Sequence, residues 1–374
     1  MFCDLSLTLR ILLALAAAFS VSFFLLPQVK HFAESVGAVD QPSARRINDH
    51  PVPRMGGISI FCGFIVSCLL FANLTTQVKG ILVGCCVISL MGAIDDVIDL
   101  NPWLKLVGQI VAAMIAVSFG VVSDTFTNFL KVGGFIYPGS TVSKIITVLW
   151  IVGCTNAVNL IDGLDGLAVG MSSISAATLF VISLVVEGGD PNISVILICL
   201  LGACIGFWPY NRNPAKIFMG DVGSQMLGYV LSTVAVIGLF KMHALVTMLI
   251  PVMSMAVPLA DTSFAIVRRL LKGQSPFHAD KGHLHHRLLA LGLNQRQAVT
   301  VMYSISIVLS VFAFLMVGER RSVKIVFLIV AVLIVSGIIL YVFRIYPHRL
   351  AKRSPKDIKD ADVKIYDQSK RKKR

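Results

Sequence analysis

Residues 80–99 read GILVGCCVISLMGAIDDVID. From Gly80 to Ile94 the chain carries no charge, and the run then ends on three aspartates, Asp95, Asp96 and Asp99. An uncharged apolar run suits the hydrocarbon interior of a bilayer, where a helix satisfies its own backbone. Ionised carboxylates are costly there, so these acids mark a polar boundary. If the helix continues through them, Asp95 and Asp99 are i,i+4 neighbours on one face. Two like charges so placed call for a proton or a divalent cation. The plain alternative is a solvated acidic turn ahead of Pro102.

The same kind of run recurs along the chain. Apolar stretches lie at 9–26, 56–73, 80–94, 104–122, 142–160, 167–186, 193–208, 222–240, 244–267, 298–317 and 323–343. The composition agrees: 56% of the 374 residues are hydrophobic and 14% charged, against about 25% charged in a typical soluble domain. Mean hydropathy is +0.81. We therefore expect an all-α polytopic transmembrane bundle of about eleven helices, formed by residues 1–346 as one domain. The first run has no small-residue cleavage pattern after it and is read as a retained helix.

The net charge is +13. In a soluble protein that would suggest nucleic acid, but here the excess collects at 347–374, which ends in Lys-Arg-Lys-Lys-Arg. A basic, disordered cytoplasmic tail beside anionic lipid accounts for it, and no nucleic-acid partner is expected. Placing the N-terminus outside leaves eight Lys and Arg residues on the outer side, among them Lys79, Lys131 and Lys144, and 25 of the 33 on the inner side. The expected orientation is thus N-terminus out and C-terminus cytoplasmic. The eight cysteines fall almost entirely in apolar runs, where cysteine behaves as a small hydrophobe, so neither disulfides nor a cysteine metal site is expected. The loop 123–141 has the sequence of a small hairpin around Gly133-Gly134.

Four clusters lie on the predicted inner side. The first is the Asp95-Asp96-x-x-Asp99 run. The second, at 156–168, reads NAVNLIDGLDGLA and supplies Asn156, Asn159, Asp162 and Asp165. Amides and carboxylates can read a base edge or sugar hydroxyls, and glycine lets backbone approach a ligand. The third, at 211–224, contains Asn211, Phe218 and Asp221. Asp221 precedes an apolar run, where it suits either a helix cap or a metal ligand. The fourth, at 278–287, reads HADKGHLHHR and includes His283, His285, His286 and Arg287. It lacks the HExxH pattern of a zinc site, and clustered His and Arg suit phosphate. Carboxylates that suit magnesium beside a basic phosphate pocket point to phosphoryl transfer on the cytoplasmic surface. The competing class is a secondary transporter, which needs ionisable groups near mid-membrane; here the polar clusters sit at span ends.

These motifs, with PVPRMGGI at 51–58 and IFMGDVGS at 217–224, resemble the polyprenyl-phosphate N-acetylhexosamine-1-phosphate transferases, glycosyltransferase family 4. The resemblance implies transfer of a sugar-1-phosphate from a UDP-sugar donor to a polyprenyl phosphate acceptor, with release of UMP. It implies Mg2+, with Mn2+ as a substitute, in the bacterial inner membrane. It implies Asp221 as metal ligand, with Asp95 and Asp96 as catalytic carboxylates beside the metal. It implies a nucleotide pocket from Asn159, Asp162, Asp165, Asn211 and Phe218. Asn156, Asp99 and Arg54 join the substrate-binding set, Arg54 as a phosphate contact. His283, His285, His286 and Arg287 would grip the donor diphosphate or sugar. The HLHHR form resembles the branch that uses UDP-N-acetylglucosamine; the alternative donor is a UDP-muramoyl pentapeptide. The broken span at 244–267, with Pro251, Pro258 and Asp261, is implied to help form a lipid groove. A homodimer is left open.

Overall fold

A computed structural model of the protein describes residues 5–41, 50–122, 126–127, 135–136, 139–185, 190–238, 255–271 and 284–315, with helical positions at 326, 329–330, 333–334 and 337. The tail at 347–374 and the last apolar run beyond 337 lie outside the described residues.

Eleven helices are described: α1 (Leu7–Ser35), α2 (Gly57–Phe71), α3 (Thr76–Ile98), α4 (Pro102–Ser118), α5 (Ser140–Ile161), α6 (Leu167–Val185), α7 (Pro191–Asn211), α8 (Gly220–Gly238), α9 (Ala256–Leu271), α10 (Leu284–Ala290) and α11 (Gln295–Leu315). Two short antiparallel pairs accompany them. β1 (Val39–Asp40) pairs with β2 (Val52–Pro53), and β3 (Phe126–Thr127) with β4 (Phe135–Ile136). The second pair lies in the loop 123–141, where a hairpin is expected; Gly133-Gly134 lie outside the described residues.

Helix starts follow from local chemistry. Thr75 Oγ1 accepts the Val78 amide at the head of α3, Asn101 Oδ1 accepts Trp103 N ahead of α4, and Asp190 Oδ1 accepts Asn192 N ahead of α7. Each satisfies an amide that the helix itself leaves bare. Pro102 and Pro191 take first-turn positions, where proline's missing donor costs nothing.

Ten of the eleven apolar runs coincide with a described helix, wholly or in part. Six of these helices, α1, α3, α5, α6, α7 and α11, are long and apolar enough to cross a membrane. The span count of eleven is thus met only in part. The physical reason is length for α2 and α4, which have 15 and 17 residues. At about 1.5 Å per residue they reach less than a hydrocarbon core of about 30 Å.

Helix α8 is the hub. It packs on α3 and α5, and every residue from Val222 to Ile237 is buried. The periphery is inverted relative to a soluble protein: Phe24, Leu90 and Leu149 are exposed, as a lipid-covered surface requires. Around the hub, α1 lies against α2 and α7. Its contact with α7 depends on Gly202 and Gly206, where a Cβ would stand 2.7 Å from Leu15 O and 2.6 Å from Phe19 O. Small residues four apart let helix backbones meet closely in a membrane. Asn159 and Lys105 both bond Asp221, and Gly166 bonds Asn211. The C-terminal ends of α3, α5 and α7 and the N-terminal ends of α4, α6 and α8 therefore share one end of the bundle.

Candidate active site

Helix α3 ends at Ile98, and Asp99 adopts a left-handed conformation with φ 49°. The acids diverge as a result. Asp95 and Asp96 are buried and face inward, whereas Asp99 is exposed and pairs with Arg54 Nη2 at 3.1 Å. The i,i+4 repulsion expected of a continuing helix does not arise, because the chain turns at Asp99 before the face is completed.

Asp95 uses both oxygens. Oδ1 accepts the Leu100 amide at 2.7 Å, and Oδ2 lies 2.5 Å from Lys105 Nζ. The same ammonium lies 3.0 Å from Asp221 Oδ2. Asp221 Oδ1 accepts from Asn159 Nδ2 at 2.8 Å, and that amide also donates to Ser224 Oγ at 2.8 Å. Carboxylates from α3 and α8 thus converge on one cation from α4, with an α5 amide bracing the far side. Lys105 belongs to none of the four sequence clusters. What distinguishes it in the sequence is that it opens an apolar run directly after Pro102, at the polar end of a helix.

Asp96 serves a different task. Its two oxygens accept the amides of Asp221 at 2.9 Å and Val222 at 3.3 Å. It caps α8 from a neighbouring helix, where the exposed amides and the helix dipole favour a negative charge. Gly220, at φ +71°, makes room: a Cβ there would run into the Asp96 carboxylate. Asp96 therefore fixes where Asp221 stands.

Asp162 follows α5 as its C-cap and is half-buried. Burial, followed by the charges of Asp221, Asp96 and Asp165, pushes its carboxyl up to about 8. Asp165 spends Oδ2 on Asn213 Nδ2 and the Ala215 amide, at 2.9 and 3.0 Å, and so shapes the loop after α7. Asn211 does similar work: its Oδ1 accepts Gly166 N, and its Nδ2 donates to Ile217 O. Phe218 is half-buried and fixed through its backbone, with its amide donating to Pro53 O and its carbonyl accepting from Gly56 N. Asn156 lies one helical turn before Asn159 and exchanges hydrogen bonds with Gln109, which also reaches Gln225 at 3.2 Å. These amides carry the polar network inward from the acids.

The basic cluster is partly described. His283 lies outside the described residues; the backbones of His285 and His286 belong to α10, and their side chains are not described. Arg287 is exposed on the same helix. Asp261 on α9 accepts the Leu284 amide at 2.8 Å, so it caps the helix that carries these side chains. This capping contact joins the broken span to the basic cluster and has no signal in the sequence pattern.

Among the described residues, no three His, Cys, Asp or Glu side chains converge on a metal position. Magnesium needs no such cage: it is held by one or two carboxylates, with water and phosphate oxygens completing the shell. Asp95 and Asp221 are such a pair, both directed at the point that Lys105 Nζ fills. Asp96, with both oxygens on backbone amides, is not directed there.

Residues 78–239, which contain the first three clusters, match the family model described as glycosyl transferase family 4. The chain is 41% identical over 314 residues to a "probable undecaprenyl-phosphate N-acetylglucosaminyl 1-phosphate transferase" of Bacillus subtilis (strain 168), covering 82% of this chain and 85% of that one. It is 36% identical to a "decaprenyl-phosphate N-acetylglucosaminephosphotransferase" of Mycobacterium tuberculosis (strain H37Rv), covering 78% of each chain. It is 31% identical to a "phospho-N-acetylmuramoyl-pentapeptide-transferase" of Staphylococcus epidermidis, covering 79% of this chain and 95% of that one. The chain belongs to glycosyl transferase family 4.

Proposed function

We propose that this protein transfers N-acetylglucosamine-1-phosphate from UDP-N-acetylglucosamine to undecaprenyl phosphate. The products are UMP and a lipid diphosphate sugar that begins a cell-envelope polysaccharide. The reading rests above all on Asp95, Asp221 and Lys105 converging at one end of an apolar bundle, beside Asn159 and Asp162. The printed names of the similar proteins supply the substrates. The active end faces the cytoplasm, with the N-terminus outside and the C-terminus inside the bacterial inner membrane; the Lys and Arg distribution supports this sense.

In the reaction an oxygen of the lipid phosphate attacks the phosphorus that bears the sugar. A new P–O–P linkage forms on the lipid side, and the bond between the donor's two phosphates breaks. UMP leaves with the electrons of that bond. The attacking phosphate is already anionic, so the protein's work is mainly to position two anions and offset their repulsion. Asp95 and Asp221 would hold Mg2+, which would draw charge from the phosphate oxygens at that point. Lys105 supplies positive charge to the same place. Asp96 sets the position of Asp221 through α8, and Asn159 orients the Asp221 carboxylate. Phe218, half-buried and fixed through its backbone, offers a ring on which the nucleotide base could stack. On α10, Arg287 supplies a cation for the donor diphosphate, where charge-assisted hydrogen bonds stabilise the transferring group.

The test incubates purified protein with undecaprenyl phosphate, MgCl2 and either UDP-N-acetylglucosamine or UDP-muramoyl pentapeptide, and separates the nucleotide products. UMP from the first donor alone is expected. UDP as the sole nucleotide would overturn the phosphosugar transfer, and UMP from the pentapeptide donor alone would move the protein to the other branch. Loss of product in chelator tests the metal.

A further inference from the structure

A cleft of about 550 Å³ lies beside the acid centre, between the loop that follows α7 and the first turns of α11. Three basic side chains line it, Arg212, Lys216 and Arg296. Among the described residues none of the three forms an ion pair. The acid of the lining, Asp165, is already spent on Asn213 and Ala215. The wall therefore carries an excess of positive charge.

The cations are held in place by neutral partners. Arg296 donates from Nε to Asn213 Oδ1 at 3.1 Å and from Nη2 to Asn213 O at 3.0 Å, which leaves the rest of its guanidinium fork free. Arg212 lies 5.7 Å from the centre of the Trp208 ring, and Lys216 5.6 Å from that of Tyr210. Tyr303 donates to Gly166 O and closes the floor. A fixed guanidinium with two further cations is a receptor for phosphate oxygens.

Exposed apolar residues follow on both helices that border the cleft, toward the other end of the bundle. On α7 the exposed Trp208 is followed one turn earlier by exposed Ile205, and on α11 Thr300 is followed by exposed Ile307 and Val311. The spacings of three, seven and four place each set on one helix face. Cations and a tryptophan at the polar end of an apolar stripe form the pattern that meets a headgroup above and acyl chains below.

We propose that this cleft binds the phosphate headgroup of an anionic glycerophospholipid, with the acyl chains lying along Ile205, Ile307 and Val311. The site is separate from the acid centre, and its test does not depend on the transferase reading. Full-length protein is released from nanodiscs of phosphatidylglycerol and phosphatidylcholine in equal parts, and retained lipid is counted by native mass spectrometry. The wild type should retain phosphatidylglycerol over phosphatidylcholine by about tenfold or more, given the attraction typical of each nearby cation. The variant R212Q/K216Q/R296Q should lose most of that preference while keeping a cooperative melting transition, which shows that the bundle is folded. Thr300→Glu, which adds a negative charge at the rim without removing any contact described above, should lower retention on its own. Equal retention by wild type and both variants would overturn the proposal. So would displacement of the lipid by millimolar inorganic phosphate, which would reassign the cleft to a free anion, or displacement by undecaprenyl phosphate in preference to phosphatidylglycerol.

Discussion

Two regions carry the proposed chemistry, and they are built differently. At the acid end three aspartates each have two partners: Asp95 holds Leu100 N and Lys105, Asp96 holds two amides of α8, and Asp221 holds Lys105 and Asn159. The basic helix α10 is seven residues long. Among the described residues, it is anchored by Leu284 N on Asp261 and by the buried Leu288. The acids are preorganised before any substrate arrives; Arg287 reaches outward from a short helix. Preorganised charge acts in the transition state, whereas an exposed cation contributes mainly to capture. Substitutions at the acid end should therefore depress turnover, and those on α10 should raise KM.

The largest effect is expected at Asp221. Asp221→Asn keeps the size of the side chain and removes the charge that faces Lys105. Turnover, followed as UMP release, should fall by about 100-fold or more, with little change in melting temperature. A variant with KM raised and kcat intact would erase the contrast between the regions.

Lys105→Met tests the convergence itself. It leaves Asp95 and Asp221 facing each other without their ammonium. Breaking a buried ion pair costs about 3–5 kcal/mol, and the partial exposure of Lys105 and Asp221 reduces this to roughly 1–3 kcal/mol. The variant should melt lower than wild type without divalent cation and regain more of its stability when MgCl2 is added. If MgCl2 raises the two melting curves equally, the carboxylate pair is not where the cation acts.

Asp96 sharpens the comparison within the acid end. Asp96→Ala removes the acceptor from the head of α8, and a lost cap costs about 1 kcal/mol or more. Melting temperature and kcat should fall together, because Asp221 is released with its helix. Asp96→Asn, which retains one acceptor oxygen, should recover part of both. Full kcat in the alanine variant would show that α8 holds Asp221 without this cap.

Asp162 gives a pH dependence. Its folded carboxyl is raised to about 8, above an unfolded value near 3.9. Between those values the folded state keeps a proton that the unfolded state has released. The contribution of Asp162 to stability therefore falls as pH rises through that window and is constant above it. Asp162→Asn should flatten this part of the melting profile, most visibly between pH 5 and 8. Parallel profiles for wild type and variant would contradict it.

The smallest effect belongs to α10. Arg287→Ala should raise KM for the UDP-sugar by about tenfold, the loss of one charge-assisted contact, and change kcat little. An effect on kcat as large as that of Asp221→Asn would place Arg287 with the preorganised groups.

Much of this was legible in the chain. Uncharged runs bounded by acids, amides and cations dictate a helical membrane bundle, because hydrocarbon tolerates neither charge nor unpaired backbone. The clusters at 95–99, 156–166 and 211–224 could be picked out because polar residues at the ends of apolar runs have few structural excuses. The pairing of individual atoms could not. Asp95 and Asp96 are adjacent and chemically identical, yet successive positions on a helix point about 100° apart, so one meets Lys105 and the other meets α8. Which cation completes the centre depended on how α4 packs against α3, and which amides Asp96 caps depended on where α8 begins. Sequence patterns record which face of a helix is apolar; the direction of each polar side chain is decided only when helices distant in the chain are brought together, because a hydrogen bond depends on the positions of both partners.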